Sequence, residues 1–174
     1  TENGLLRLDN GRIAETFTVA QGLPSNRIRS LFVDTSGRTW VGTERGPAVL
    51  RGNRFEQAPL AHQLQFPIVA IGEAALGAGR PAQILFAADR GSVYVLDGEK
   101  LSKLSDDVSS AAPLSEVTTL YTDPEGVTWI GTNGVGLGML RNGKLHRFYL
   151  RDGLIDPEIY GFMTDARDRL WMVG

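Results

Sequence analysis

Asp34-Thr-Ser-Gly37-Arg-Thr-Trp40-Val-Gly42-Thr43 returns in the same chain as Asp123-Pro-Glu-Gly126-Val-Thr-Trp129-Ile-Gly131-Thr132. A third version, Asp165-Ala-Arg-Asp168-Arg-Leu-Trp171-Met-Val-Gly174, closes the sequence, with Gly174 read in the place of Gly42 and Gly131. The shared pattern is Asp-x-x-Gly-x-x-Trp-(Val/Ile)-Gly-Thr. Trp129 and Trp171 stand 42 residues apart, and Trp40 and Trp129 stand 89 apart, close to two such periods. A weaker copy is therefore expected between them. Gln83-Ile-Leu-Phe86-Ala-Ala supplies it, with Phe86 in the Trp column. One Trp per roughly 40–45 residues is the spacing of a propeller blade.

Each unit reads as four short strands. Ile28-Arg-Ser-Leu-Phe-Val33 is short and apolar on both flanks, which suits a strand buried on two faces. Asp34-Thr-Ser-Gly37 has Asp first and Gly fourth, the chemistry of a type I turn followed by a left-handed Gly. Arg38–Gly42 then returns as the second strand, Ala48–Arg51 forms the third and Arg54–Glu56 the fourth. The same order recurs from Val117 to Phe148, where Asn142-Gly143 is a strong two-residue hairpin signal. Asn10-Gly11, Gly52-Asn53 and Asp97-Gly98 occupy the same phase. The second unit departs from the pattern: after Ile68–Ile71, an Ala/Gly-rich loop, Gly72–Pro81, replaces the Asp turn. Four antiparallel strands per unit is the blade of a β-propeller, so the chain is all-β.

The units run over about 1–42, 43–88, 89–131 and 132–174, about four blades in one segment. Thr1–Phe17 reads as strands three and four of a blade and Ile159–Gly174 as strands one and two, so one blade is split between the termini. Three closures fit this phase: a four-bladed ring, a homodimer completing a larger ring, or an excerpt of a longer array. The excerpt is favoured, and the absence of an initial Met agrees with a chain cut from something longer.

Composition narrows the chemistry. The net charge of −2 gives no field for nucleic acid or an anionic membrane. Without cysteine, disulfides and thiolate metal sites are excluded. No apolar run approaches the roughly 20 residues of a membrane span, so no direct membrane insertion is expected of this segment. His62 and His146 lie at unlike phases, with no metal-ligand spacing around them, and no cofactor or metal site is expected. Gly134-Val-Gly136-Leu-Gly138 lies between two strands and not before a helix, so it is a strand connection and not a dinucleotide loop.

The repeated residues have structural readings. Trp40, Trp129 and Trp171 are read as core between blades in preference to sugar-stacking platforms, because their phase is fixed and a buried indole needs a partner for its N–H. Asp34, Asp123 and Asp165 are read as turn residues that bind nearby backbone N–H groups. Gly37 and Gly126 complete those turns, and Gly42 and Gly131 permit close packing after the Trp. A ligand is expected instead where the innermost strands begin, at Arg27 and Arg29, Glu116 and Thr118, and Glu158 and Tyr160. These positions differ from blade to blade, while Ser30, Thr119 and Gly161 stay small near the axis.

Gly22-Leu23-Pro24-Ser25-Asn26 followed by Asp34-x-x-Gly37-x-x-Trp40-Val-Gly42-Thr43 resembles the two-component regulator propeller repeat. Asp123–Leu140 resembles it too, and Asp152-Gly153-Leu154-Ile-Asp-Pro157 is a looser version of the Gly-Leu-Pro stretch. The resemblance implies a propeller, typically seven-bladed, placed in the periplasm as the sensing region of a histidine kinase, hybrid two-component protein or diguanylate cyclase. It implies an oligosaccharide or small-molecule ligand, further blades and a downstream signalling domain as partners. The reading is a non-catalytic sensory module, with an interaction scaffold as the alternative. A glycan-active enzyme is the third class. It would need two carboxylates roughly 5–10 Å apart, for which Glu116 and Glu158 share a phase.

Overall fold

The computed structural model describes residues 2–57, 63–77, 79, 81–89, 92–104 and 116–174; His62 lies outside them. A hairpin, β1 (Leu5–Asp9) and β2 (Arg12–Phe17), comes first. The first blade is β3 (Ile28–Val33), β4 (Thr39–Thr43), β5 (Gly46–Arg51) and β6 (Arg54–Gln57). The second is β7 (Ile68–Ala74), β8 (Gln83–Ala88), β9 (Val93–Asp97) and β10 (Lys100–Lys103). The third is β11 (Val117–Thr122), β12 (Thr128–Thr132), β13 (Leu137–Arg141) and β14 (Lys144–Phe148). A last hairpin holds β15 (Gly161–Thr164) and β16 (Leu170–Val173). Each blade is an antiparallel sheet in sequential order, the architecture of a β-propeller. The two hairpins are separate two-stranded sheets, with no ladder between them.

The repeated Asp and Trp act as one device. One oxygen of Asp34 accepts the backbone N–H groups of Ser36 and Arg38, each at 2.9 Å. Its other oxygen accepts the Trp40 indole N–H at 2.7 Å and Arg38 Nε at 2.6 Å. Asp123 binds Glu125 N, Val127 N and Trp129 Nε1 in the same way, at 3.0, 2.9 and 2.8 Å. Asp165 repeats it with Arg167 N, Arg169 N, Arg169 Nε and Trp171 Nε1. The carboxylate thus ties the turn to the strand that follows it. The fourth turn residue is left-handed each time: Gly37 at φ 76°, Gly126 at φ 78° and Asp168 at φ 57°. Asp tolerates that region better than most side chains, which is why the third copy survives without Gly.

The ladders correct three sequence expectations. In the second blade Ala70 pairs with Ala87 and Gly72 with Leu85, where the first blade pairs Ser30 with Gly42 and Phe32 with Trp40. Leu85 therefore stands in the Trp column, and Phe86 points the other way, back toward the first blade. There it meets Trp40 edge-on, with ring centroids 5.7 Å apart. In the last hairpin Val173, not Gly174, stands opposite Gly161 in the column of Gly42 and Gly131. The strand β7 continues to Ala74, so the irregular loop begins after that residue. A smaller difference lies in the second blade's outer turn, which is Gly98-Glu99 because Asp97 pairs with Lys100.

The Gly column has a steric cause. A Cβ at Gly42 would sit 2.5 Å from the Ile68 carbonyl oxygen, and one at Gly131 would sit 2.7 Å from that of Ile159. Both carbonyls belong to the approach to the next blade's inner strand. The cross-strand pairs there are Ser30–Gly42, Ala70–Ala87, Thr119–Gly131 and Gly161–Val173. Wherever one member grows the other shrinks, because little volume is left between neighbouring inner strands.

Among the described residues, three hydrophobic cores lie between successive sheets, from the first hairpin to the third blade. Phe17 packs against Phe55 between the first hairpin and the first blade, with centroids 5.2 Å apart. Trp40, Val49, Ile68, Ile71 and Phe86 fill the space between the first and second blades. Leu85, Val95, Val117, Ile130 and Leu140 fill the next. The inner strand β7, sandwiched on both sides, is almost wholly buried. In contrast, β3 alternates, with Leu31 54% exposed, against the expectation of two buried faces. The reason is geometric: β1 and β2 hold the phase of outer strands and cover only the outer part of the first blade.

Candidate functional site

The inner strands β3, β7 and β11 begin alike. Each register slips by one residue near its start, between Ile28 and Ser30, Ile68 and Ala70, and Val117 and Thr119. The bulged residues are Arg29, Val69 and Thr118. A bulge re-aims a side chain and bends its strand. Just beyond it, Glu44 N donates to the Arg27 carbonyl, Asp89 N to that of Pro67, and Asn133 N to that of Glu116, at 3.1, 2.9 and 2.8 Å. One backbone scaffold therefore presents three unlike sets of residues at this upper rim: Arg27, Arg29 and Glu44; Pro67, Val69 and Asp89; Glu116, Thr118 and Asn133.

The structure gathers the predicted residues into two polar clusters and leaves two in other roles. Arg29 Nε donates to Glu44 at 2.5 Å, and its guanidinium pairs with the same carboxylate. Arg27 lies 3.9 Å from Glu2 and is well exposed. A cleft of about 210 Å³ opens between these four and Ile28. In the second cluster the Tyr160 hydroxyl donates to Glu158 at 2.8 Å and lies 3.3 Å from Asn133 Oδ1. The hydrogen bond to Glu158 raises the Tyr160 pKa above its ordinary value, aided by desolvation and by the charges of Glu158 and Asp156. A cleft of about 470 Å³ beside Glu158 runs past Leu154, Ile155 and Met172. Thr118, by contrast, donates its hydroxyl to the Ile159 carbonyl and so fastens β11 to the next inner strand. Glu116 sits at φ 55°, its carbonyl engaged by Asn133.

Sequence reasoning misses Glu44, Asp89, Asn133 and Val69. The first three follow the residue after Trp-x-Gly, or its counterpart, by one place; that offset is the available signal. Val69 is hidden because the second unit lacks the Asp turn that sets the phase.

The loops that deliver the inner strands share a hydrogen-bonding plan. Before β3, a single 3-10 turn at Val19–Gln21 is closed by Gly22, and Thr18 N donates to Gln21 Oε1 at 3.0 Å. Before β15, the turn at Leu150–Asp152 is closed by Gly153, and Tyr149 N donates to Asp152 Oδ2 at 3.0 Å. Ser25 Oγ then accepts Arg27 N, as Asp156 Oδ1 accepts Glu158 N. The Asp152–Pro157 stretch thus builds the same entrance as Gly22–Asn26 from different side chains. Between that second turn and the β12–β13 connection lies a mostly apolar cleft of about 410 Å³, lined by Val135, Tyr149, Leu150 and Pro157.

Among the described residues no helix is long and apolar enough to cross a membrane. Residues 22–45 and 112–134 match the two component regulator propeller family. No curated protein sequence matches the chain. Among solved structures, the extracellular domain of the hybrid two component system BT3049 from B. thetaiotaomicron is similar, with a TM-score of 0.70 at 20% identity, over 98% of this chain and 23% of that one. The extracellular domain of the one component system BT4673 from the same organism gives 0.66 at 19%, over 90% and 22%. Streptogramin B lyase gives 0.71 at 22%, over 99% of this chain and 55% of that one. At such identities the likeness is one of fold. The chain spans under a quarter of the two extracellular domains and about half of the lyase.

Proposed function

Since the chain carries two component regulator propeller repeats, we propose that it is an extracytoplasmic ligand-binding region of a transmembrane signalling protein, placed in the periplasm. It acts by binding and not by catalysis, and it passes occupancy to a downstream kinase or cyclase. The observation that carries this reading is the upper rim: a repeating backbone presents residues that do not repeat. Identical blades could not define an asymmetric ligand, whereas Arg29–Glu44 on the first blade and Asn133 of the third with Glu158–Tyr160 of the last hairpin can. Paired charges beside a phenol and an amide suit the hydroxyl-rich surface of an oligosaccharide or a small polar metabolite. The repeated carboxylates support the non-catalytic reading, because Asp34, Asp123 and Asp165 are each committed to a turn and an indole N–H.

Transmission follows from how the rim is joined. Ser30 Oγ donates to the Ile68 carbonyl at 3.0 Å, and Thr118 joins β11 to Ile159 in the same way. A ligand touching two inner strands acts on the relation between blades. It shifts a signalling equilibrium by the difference in its affinity for the two states. The test is calorimetric titration of the full chain with an oligosaccharide panel, followed by Arg29→Ala and Tyr160→Ala. Loss of binding with an unchanged melting curve supports the rim. A bound ligand indifferent to both substitutions refutes it.

A docking scaffold is the second reading, favoured by the apolar cleft beside Tyr149 and Leu150. Substitution Leu150→Asp separates the two, since it strikes that cleft and leaves the rim intact.

A further inference from the structure

The second blade departs from its neighbours at the opposite, lower end of the inner strands. The first and third blades close there with a tight Asp turn. The second runs on to Ala74 and then through a loop whose Ala75 and Ala82 leave space between the two flanking turns. A cavity of about 580 Å³ results, walled by Val33, Leu120 and Pro124 as well as these alanines. Its volume falls in the range of small-molecule sites, roughly 300–1,000 Å³.

Into this wall is built a buried carboxylate. Glu73 is 8% exposed. Both of its oxygens accept the backbone N–H of Thr35 at 3.1 Å, and one accepts the Thr35 hydroxyl; these donors are neutral. Its own carbonyl accepts the hydroxyls of Thr122 and, at 3.0 Å, Thr128. The residue is thus held by the first blade through its side chain and by the third through its backbone. Asp34 and Asp123 also border the cavity, and the described residues that line it include no basic side chain. Arg38 offsets Asp34 alone, and Val127 stands where a second arginine would offset Asp123.

We infer that this cavity is a second binding site, for a small organic ammonium with an apolar body. The apolar walls take the body, and Glu73, with carboxylate lone pairs to spare, takes the ammonium through a charge-assisted hydrogen bond. The site lies at the other end of the blades from the rim and does not depend on it. The degenerate repeat is therefore the functional departure of the array: it gives up one Asp turn and gains a chamber whose charged side chains, among the described residues, are Asp34, Glu73 and Asp123.

The test is calorimetric titration of the full chain with hexylamine, against hexan-1-ol and hexanoate as neutral and anionic matches. The amine should bind at least about tenfold more tightly than the alcohol, with hexanoate weakest. Glu73→Gln should remove the preference for the amine. Ala82→Leu, which fills the chamber without touching Glu73, should remove binding of amine and alcohol together, and it decides the matter should Glu73→Gln fail to fold. Equal binding of amine and alcohol overturns the inference. So does no binding of any of the three, or amine binding unchanged in a folded Ala82→Leu chain.

Discussion

The bond between Asp34 and Trp40 should be worth more than any other single side-chain contact of the repeat, and a double-mutant cycle can measure it. Trp40→Phe keeps most of the ring, which is 3% exposed, and removes the indole N–H that reaches Asp34 Oδ2 at 2.7 Å. Asp34→Asn keeps an oxygen for the turn but turns a donor toward the indole. A hydrogen bond to a buried charged group contributes about 1.5–3 kcal/mol. Adding the poorer fill against Phe86 for Trp40→Phe, and the lost pairing with Arg38 for Asp34→Asn, each single change should cost about 2–4 kcal/mol. In the Trp40→Phe background the amide meets no opposing N–H, so a coupling of about 1–3 kcal/mol is expected between the two sites. Melting temperatures fall by roughly 2–4 °C per kcal/mol at this size, well within calorimetric reach. The matched pair Asp165 and Trp171 has nearly the same geometry, 2.9 Å, but its Trp is 53% exposed. Water competes there, and the same cycle should show far weaker coupling. Additivity within about 0.5 kcal/mol at Asp34–Trp40, or equal coupling at both sites, would refute the reasoning. Acid should expose the same bond. Burial alone would raise the Asp34 pKa, but hydrogen bonds from Trp40 and from the Arg38 backbone and side chain, with the Arg38 charge, hold it below its usual value. Its contribution is therefore present above the unfolded pKa, near 4, and is lost as pH falls through the folded value. Trp40→Phe should move the acid-unfolding midpoint upward.

Gly42→Ala and Gly131→Ala should each destabilise by about 1–3 kcal/mol in denaturant titrations, since the added methyl meets the backbone of the next blade; a neutral result would mean the blades are not so closely apposed. Asp168→Gly should stabilise by about 0.5–1 kcal/mol by relieving a left-handed side chain, whereas Gly126→Ala at the matching turn should destabilise by a similar amount. Glu158→Gln should lower the Tyr160 pKa toward 10, read by ultraviolet titration of the phenol; an unmoved titration would show that the pair is not formed in solution.

How far the sequence reveals this molecule differs between its parts. The Asp-x-x-Gly-x-x-Trp phrase recurs at a blade's spacing, so blades, strand order and turn type are legible from it. Each depends on local chemistry: an Asp carboxylate capping its own turn, a left-handed fourth residue, an Asn-Gly hairpin. The upper rim is half legible. Arg27, Arg29, Glu158 and Tyr160 can be placed by phase, but a phase does not say which partner a side chain finds. Thr118 illustrates this, since its hydroxyl reaches the carbonyl of Ile159, 41 residues away. The second blade is the least legible. Without the Asp turn the register floats, so the sequence reading puts Phe86 in the Trp column that Leu85 occupies, and the buried carboxylate of Glu73 gives no local sign.

The sequence by itself determined that this is an all-β array of four-stranded blades, because that choice rests on contacts within one turn or one hairpin; of the three Trp residues read as core, Trp40 is buried, while Trp171 is 53% exposed. Tertiary structure alone decided which residues face which blade. A one-residue difference in register carries a side chain to the other face of its sheet, and only the neighbouring blade fixes that register. A carboxylate that braces its own turn finds its partners within a few residues, but Glu73 is held in the chamber wall by Thr35, 38 residues away, a group it meets only when blades stack.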